Sequence, residues 1–272
     1  MFGMSKLLPI YTLDNVSPAW QLDWSVTLFW RAPPWSDDWL DAVREALEPD
    51  GIRVLAHRFL DADRSQFVVS TLPDVKPVEV LQRLKGRLQY VVRQRWPKAF
   101  RRNYDLHTVG STCRGKVENY VASQIQHHSA DGLQADSALA DLQWINPDVD
   151  LSAPRFSSHG RYRCNLHLVL VRAARWRETR VAYLEAAREM TRRAATAKQH
   201  LLSRIGLMPD HLHLTLGFGL DERPIEVALS YMNNLAFVYD MQPVLMPGCF
   251  LGTIGEYSLQ GIDAGAWLSA NR

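Results

Sequence analysis

Apolar and polar residues alternate from Leu22 to Trp30, in the run Leu-Asp-Trp-Ser-Val-Thr-Leu-Phe-Trp, and this two-residue period predicts a strand. From Ser36 to Leu47 the apolar positions switch to helical spacing behind a Ser-Asp-Asp start signal. Ile52 to Leu60 and Gln66 to Leu72 return to strand patterning, joined by the polar turn Asp61-Ala62-Asp63-Arg64-Ser65. Pro77 stands where a helix can begin, and a basic amphipathic pattern continues to about Arg95. Tyr104 to Val109 reads as a short strand, after which Gly110-Ser111-Thr112 opens a helix expected to run to about His127. The stretch from Ser129 to Gly160, rich in Ser, Asp, Ala and Pro, reads mainly as a linker with a short helix around Leu139 to Trp144.

The same order then recurs. Arg161 to Arg172 predicts a strand and Glu178 to Thr196 a long helix. Gln199 to Met208 and His211 to Phe218 predict two strands around a Pro-Asp turn. Pro224 to about Tyr239 predicts a helix, and Cys249 to Ile254 a short strand before a poorly patterned tail. Three local matches set the two runs in register: Trp24 with Leu166, Asp63 with Asp210, and His107 with Gly252, at offsets of 142, 147 and 145 residues. A nearly constant offset across separated matches points to a tandem duplication. The expected fold class is therefore α+β, as two compact domains with mainly antiparallel sheets. The expected boundaries are 1–128 for the first domain, 129–160 for the linker and 161–272 for the second domain.

Composition narrows the setting. An apolar content of 47% with 22% charged residues fits a folded soluble chain rather than a disordered one. Cys113, Cys164 and Cys249 are few, odd in number and far apart, which argues against a disulfide framework and for a cytoplasmic setting. No apolar run approaches the roughly 20 residues that span a bilayer, and the N-terminus has no secretory pattern, so no membrane partner is expected. The net charge is only +2, so any nucleic-acid surface must come from local clustering. Such a cluster exists: Arg83, Lys85, Arg87, Arg93, Arg95, Lys98, Arg101 and Arg102 fall in a window with no acidic residue, interleaved with Tyr90, Trp96 and Phe100 and followed by Tyr104. Cations of this kind meet phosphates, and aromatic rings stack on bases. A second Arg cluster, from Arg172 to Arg193, is interrupted by Glu178, Glu185 and Glu189 and reads as a salt-bridged helix face.

Two motifs carry candidate chemistry. In Pro209-Asp210-His211-Leu212-His213 the two histidines are two apart on a strand, so their imidazoles share a face and make half of a divalent-metal site. In Tyr120-Val121-Ala122-Ser123-Gln124 the tyrosine and glutamine are four apart, one helical turn, and also share a face. A tyrosine hydroxyl can attack phosphorus when a metal polarises the phosphate, and a glutamine carbonyl can complete a ligand set. His57 and His167 lie inside predicted strands and read as packed side chains.

Taken with Leu84-Lys85-Gly86, Thr108-Val109-Gly110 and Thr253-Ile254-Gly255, these motifs resemble the HUH single-strand DNA transposases with one catalytic tyrosine, the REP-associated tyrosine transposase group. The resemblance implies two tandem ferredoxin-like (RRM-like) domains. The histidine positions of the first half hold Arg64 and Gln66, and the tail of the second half lacks a Tyr-x-x-x-Gln. Each half thus keeps what the other lost. Family members act as homodimers with sites shared between subunits, so the resemblance implies a single-chain pseudo-dimer with one composite site. His211, His213 and Gln124 would be metal ligands for Mg²⁺ or Mn²⁺, and Tyr120 the nucleophile that forms a 5′-phosphotyrosine and releases a 3′-hydroxyl. The implied partner is single-stranded DNA, as hairpin transposon ends, with a further transposition protein or RNA-guided nuclease as in some related elements. The alternatives are a catalytically silent DNA- or RNA-binding protein and an accessory subunit of a transposition complex.

Overall fold

The computed structural model describes residues 8–32, 36–110, 114–122 and 135–255. The first run of elements is β2 (Asp23–Trp30), α1 (Leu40–Leu47), β3 (Ile52–Asp61), β4 (Arg64–Thr71), α2 (Pro77–Val92) and β5 (Phe100–Val109). The second is β9 (Asn165–Arg172), α5 (Val181–Lys198), β10 (Leu201–Leu207), β11 (His211–Gly217), α6 (Pro224–Val238) and β12 (Leu245–Thr253). Around them lie β1 (Ala19–Gln21), α3 (Arg114–Ala122), α4 (Ala135–Leu142), β6 (Trp144–Ile145), β7 (Arg155–Phe156) and β8 (Gly160–Arg163). The result is a mixed α+β molecule with two mostly antiparallel six-stranded sheets, ordered β3-β4-β2-β5-β8-β7 and β1-β12-β9-β11-β10-β6. Within each sheet the four main strands stand second, third, first, fourth.

Strand alternation explains the layers. In β2, Trp24, Val26, Leu28 and Trp30 are fully buried on one face, leaving Ser25 and Thr27 on the other. In β11, Leu212, Leu214 and Leu216 take the apolar face, and His211, His213 and Thr215 take the opposite one. Pro77 begins α2, where its missing N–H costs nothing, and the Glu79 carboxylate accepts the Lys76 N–H at 3.2 Å. A continuous hydrophobic cluster draws on both runs, including Val26, Leu84, Leu168, Leu214 and Met232. Trp24 and Phe218 meet edge to face across the join, with ring centroids 6.4 Å apart.

Several expected boundaries move. The predicted strand from Arg161 to Arg172 is two strands: β8 ends at Arg163 in one sheet and β9 starts at Asn165 in the other, with Cys164 fully buried at the crossing. The stretch read as a linker is partly built into both sheets, because β6 pairs with β10 and β7 and β8 extend the sheet containing β5. The helix expected from Ser36 begins at Leu40, after a turn in which Trp39 Nε1 donates to Ser36 O at 2.8 Å.

The two sheets are joined reciprocally. β1 leads into β2 but pairs in parallel with β12, Gln21 opposite Gly252. Likewise β8 leads into β9 but pairs in parallel with β5, Arg163 opposite His107. Thr108 Oγ1 accepts from Asn165 N (3.1 Å) and donates to Ile254 O (2.7 Å). Thr253 Oγ1 accepts from Asp23 N (2.9 Å) and donates to Val109 O (2.6 Å). Asp23 and Asn165 are 142 apart, and Thr108 and Thr253 are 145 apart, so corresponding residues exchange the same bonds, as in an isologous interface. The approach is tight: a Cβ on Gly255 would fall 1.9 Å from Thr108 O.

Candidate active site

The histidine pair owes its orientation to strand pleating. His211 and His213 are both buried, and their rings lie 4.9 Å apart between centroids. His211 Nδ1 bonds to Asp210 Oδ1 at 2.7 Å. An ionised carboxylate can only accept, so the imidazole proton sits on Nδ1 and the lone pair on Nε2. Burial alone would raise the Asp210 carboxyl, but the hydrogen bond from His211 and the contact with Arg175 outweigh it and hold the group below its ordinary pKa.

His167, which reads in the sequence as a packed strand residue, belongs to this group. It faces Thr215 across the antiparallel β9–β11 pair, while His213 faces Val169, so His167 and His213 are diagonal neighbours on one face. Their rings stack at 5.2 Å, and His167 Nε2 is 2.9 Å from His213 Nδ1. Burial pushes the His167 pKa down to about 4, so it stays neutral and can accept. In the tautomer that binds a cation, His213 donates from Nδ1 and turns its lone pair to Nε2, matching His211. Both imidazoles can then offer an Nε2 lone pair, a donor type that divalent ions take. Among the described residues no three His, Cys, Asp or Glu side chains converge as a metal cluster, and His167 is engaged with His213 instead. Gln124, expected as the third ligand, lies outside the described residues.

Tyr120 reaches this face from the other half of the chain. α3 follows β5 in sequence but lies on β10 and β11. Gly206 makes room for it, since a Cβ there would meet Val121 Cγ1 at 2.9 Å and Val121 O at 3.0 Å. The buried Glu118 accepts from Ser203 Oγ at 2.5 Å and lies 3.9 Å from Arg204 Nε. So docked, α3 sets the Tyr120 ring edge to face with His213 at 5.7 Å between centroids, with the tyrosine 44% exposed.

The corresponding positions on the first sheet are different in kind. Ser25 and Gln66 stand where His167 and His213 stand, and Gln66 Nε2 donates to Ser25 Oγ at 2.8 Å. Arg64, in the place of His211, pairs with Asp61. Arg58 lies opposite Gln66 as Gly206 lies opposite His213, so a long side chain occupies the place that receives α3 on the other sheet.

The basic window behaves differently from its reading in sequence. Arg83 Nη1 donates to Asp50 O at 2.9 Å, and Arg87 grips the Asp50 carboxylate at 3.0 and 3.2 Å. Arg95 pairs with Asp38 at 2.8 Å and Arg101 with Asp63 at 3.1 Å. Lys85 donates to the carbonyls of Arg101 and Arg102, and burial lowers its pKa. Arg93 lies over the Tyr90 ring at 4.1 Å. Lys98 and Arg102 are exposed. The counter-charges come from Asp38, Asp50 and Asp63, outside the acid-free window, so local sequence overstated its net charge. The window also meets β5 at Phe100–Arg102, six to eight residues from Thr108 at the join and thus roughly 20–26 Å along the strand.

No protein-family model matches the chain. No curated protein matches it either. Among solved structures, a putative transposase from Deinococcus radiodurans R1 aligns with 39% of this chain and 92% of its own, at 16% identity and a TM-score of 0.31. An unknown protein from Galdieria sulphuraria aligns with 86% of this chain and 99% of its own, at 10% identity and a TM-score of 0.22. Similarity at this level establishes neither fold nor function. Among the described residues, no helix is long and apolar enough to cross a membrane.

Proposed function

We propose that the chain is a single-strand DNA transposase of the HUH tyrosine type, folded as an internal pseudo-dimer of two ferredoxin-like domains with one composite site. The observation that carries the proposal is the 5.7 Å approach of Tyr120, from the first half, to His213, from the second. The shared strand order of the two sheets and the reciprocal threonine bonds support the duplication on which the composite site depends. The domain limits are those of the sequence repeat, 1–128 and 161–272, with strands of the 129–160 stretch added to both sheets.

In this reading His211 Nε2, His213 Nε2 and Gln124 would hold a Mg²⁺ or Mn²⁺ ion, which would supply polarisation of the scissile phosphate and offset its developing charge. Asp210 and His167 fix the two ring tautomers. Tyr120 loses its phenolic proton to solvent and its oxygen bonds to phosphorus. The P–O3′ bond breaks, and the departing oxygen takes up a proton to become a 3′-hydroxyl. The product is a 5′-phosphotyrosine, which a second 3′-hydroxyl can displace to reseal the strand. The exposed Lys98 and Arg102, with the partly paired basic residues beside them, would contact the phosphates of a hairpin end. Any further transposition or RNA-guided nuclease partner would join outside this site, in a cytoplasmic setting.

The test is a covalent adduct. Incubated with Mn²⁺ and single-stranded DNA bearing hairpin ends, the protein should carry DNA through denaturing electrophoresis, and Tyr120→Phe should abolish the adduct. An adduct that survives in Tyr120→Phe would refute the assignment. Tight binding without an adduct on any hairpin would mark a binding protein instead.

A further inference from the structure

A cavity of about 430 Å³ opens beside Tyr120 and is lined by both halves of the chain. Lys116, Tyr120 and Gln21 come from the first half, and His167, Phe250 and Gly252 from the second. Its volume falls within the roughly 300–1,000 Å³ of small-ligand sites. Lys116 is one helical turn before Tyr120, so it shares the tyrosine's face of α3 and is exposed.

The wall opposite is an aromatic platform. Phe250 sits across from Val169, as His213 does, so it shares the histidines' face of the sheet. It is 37% exposed, unusual for a phenylalanine within a paired strand, and its ring and that of His167 meet in a T-shaped contact, 6.1 Å between centroids at 72°. Gly252 lies directly opposite His167, and a Cβ there would fall 2.8 Å from Phe250 Cε1. A side chain at Gly252 would therefore displace the ring from this position. At the corresponding places in β5 the first half has Asp105 and His107, both buried. The platform and the glycine beneath it exist only on the side that has Tyr120 and the histidine pair.

We propose that this cavity binds the unpaired nucleotide next to the attacked phosphate, its base stacked on Phe250, its edge met by the Gln21 amide and its phosphate by Lys116. A π-face accepts any base, and a lone ammonium accepts any phosphodiester, so the site selects an unpaired nucleotide rather than a sequence. A base within a duplex is stacked on its neighbours and cannot enter. The proposal deepens the strand-transfer reading and rests on it for the identity of the attacked phosphate.

The test uses a thymidine oligonucleotide of about 20 nucleotides with alternate bases replaced by 5-iodouracil, which photocrosslinks to stacked aromatic rings. With a chelator present, irradiation should place a crosslink on the β12 peptide containing Phe250, and Phe250→Leu should remove it. In binding titrations, Phe250→Ala should weaken the thymidine oligonucleotide by roughly 5- to 100-fold and leave an abasic phosphodiester of the same length unchanged. Crosslinks confined to other elements, or equal losses for both ligands, overturn the proposal. The Mn²⁺-dependent adduct is scored separately. A Phe250 crosslink without an adduct keeps the base site and removes the strand-transfer reading. An adduct without a Phe250 crosslink removes the base site alone.

Discussion

At the scale of single residues, the chemistry depends on which nitrogen carries a proton. Asp210 and His167 each engage Nδ1 of a neighbouring histidine, which leaves Nε2 as the nitrogen of each ring that can offer a lone pair when Nδ1 is the donor. His167→Ala leaves the ladder intact but frees His213 to adopt the other tautomer. We expect Mn²⁺ affinity, measured by calorimetry, to fall about 10- to 100-fold, alongside a stability loss of about 1–3 kcal/mol as the buried His213 loses this partner. Unchanged affinity would remove His167 from the site. His211 and His213 are legible as a pair because a strand's period is two. His167 is not, because its place depends on the register of two strands more than forty residues apart, which no local pattern encodes. The partners of the basic window are hidden for the same reason, its counter-charges arriving from distant loops.

At the scale of elements, the deciding object is α3. Its sequence is weakly amphipathic, and nothing in it states which sheet it will cover. Gly206 and the Glu118–Ser203 bond supply the answer, and on the other sheet Arg58 stands in the way. A side chain at Gly206 must displace Val121 and with it Tyr120. Gly206→Val is therefore expected to expose the amides of 114–122 to hydrogen exchange while β9 and β11 stay protected, and to reduce adduct formation by roughly tenfold or more. Unaltered protection of that helix in the variant would show that Gly206 does not seat it. The helices and main strands themselves were largely readable, since Pro77, Pro224 and the alternating runs act locally. The short strands β1, β6 and β7 were not, because two or three residues carry no period and earn their state only by pairing, and β8 was read only as the start of a longer strand.

At the scale of the whole molecule, the two sets of elements behave as one body. Their hydrophobic cluster is continuous, each set lends a parallel strand to the other, and Thr108 and Thr253 bond across the join. Thr253→Val would leave Asp23 N and Val109 O without these partners in a buried setting. We expect a loss of about 1–3 kcal/mol, still in a single unfolding transition by calorimetry. A separate low-temperature transition for one half would contradict the shared core. The buried thiols at Cys164 and Cys249, both pushed up to about 12 by burial, take no part in this join as nucleophiles or crosslinks.

The sequence by itself determined the repeated order of strands and helices, the histidine pair on one strand face and the tyrosine on a helix, because each follows from a period of 2 or 3.6 along a local stretch. The offset between the halves was equally visible, since register needs only residue numbers. The motif resemblance already implied that Tyr120 meets the histidines of the other half; only the tertiary structure decided how closely it approaches His213, that His167 and Phe250 join them, and that β1 and β8 change sheets. Those outcomes turn on contacts between residues dozens to hundreds of positions apart. They are set by the space left at Gly206 and Gly252 and by the bonds of Thr108 and Thr253, not by any preference of the segments that meet.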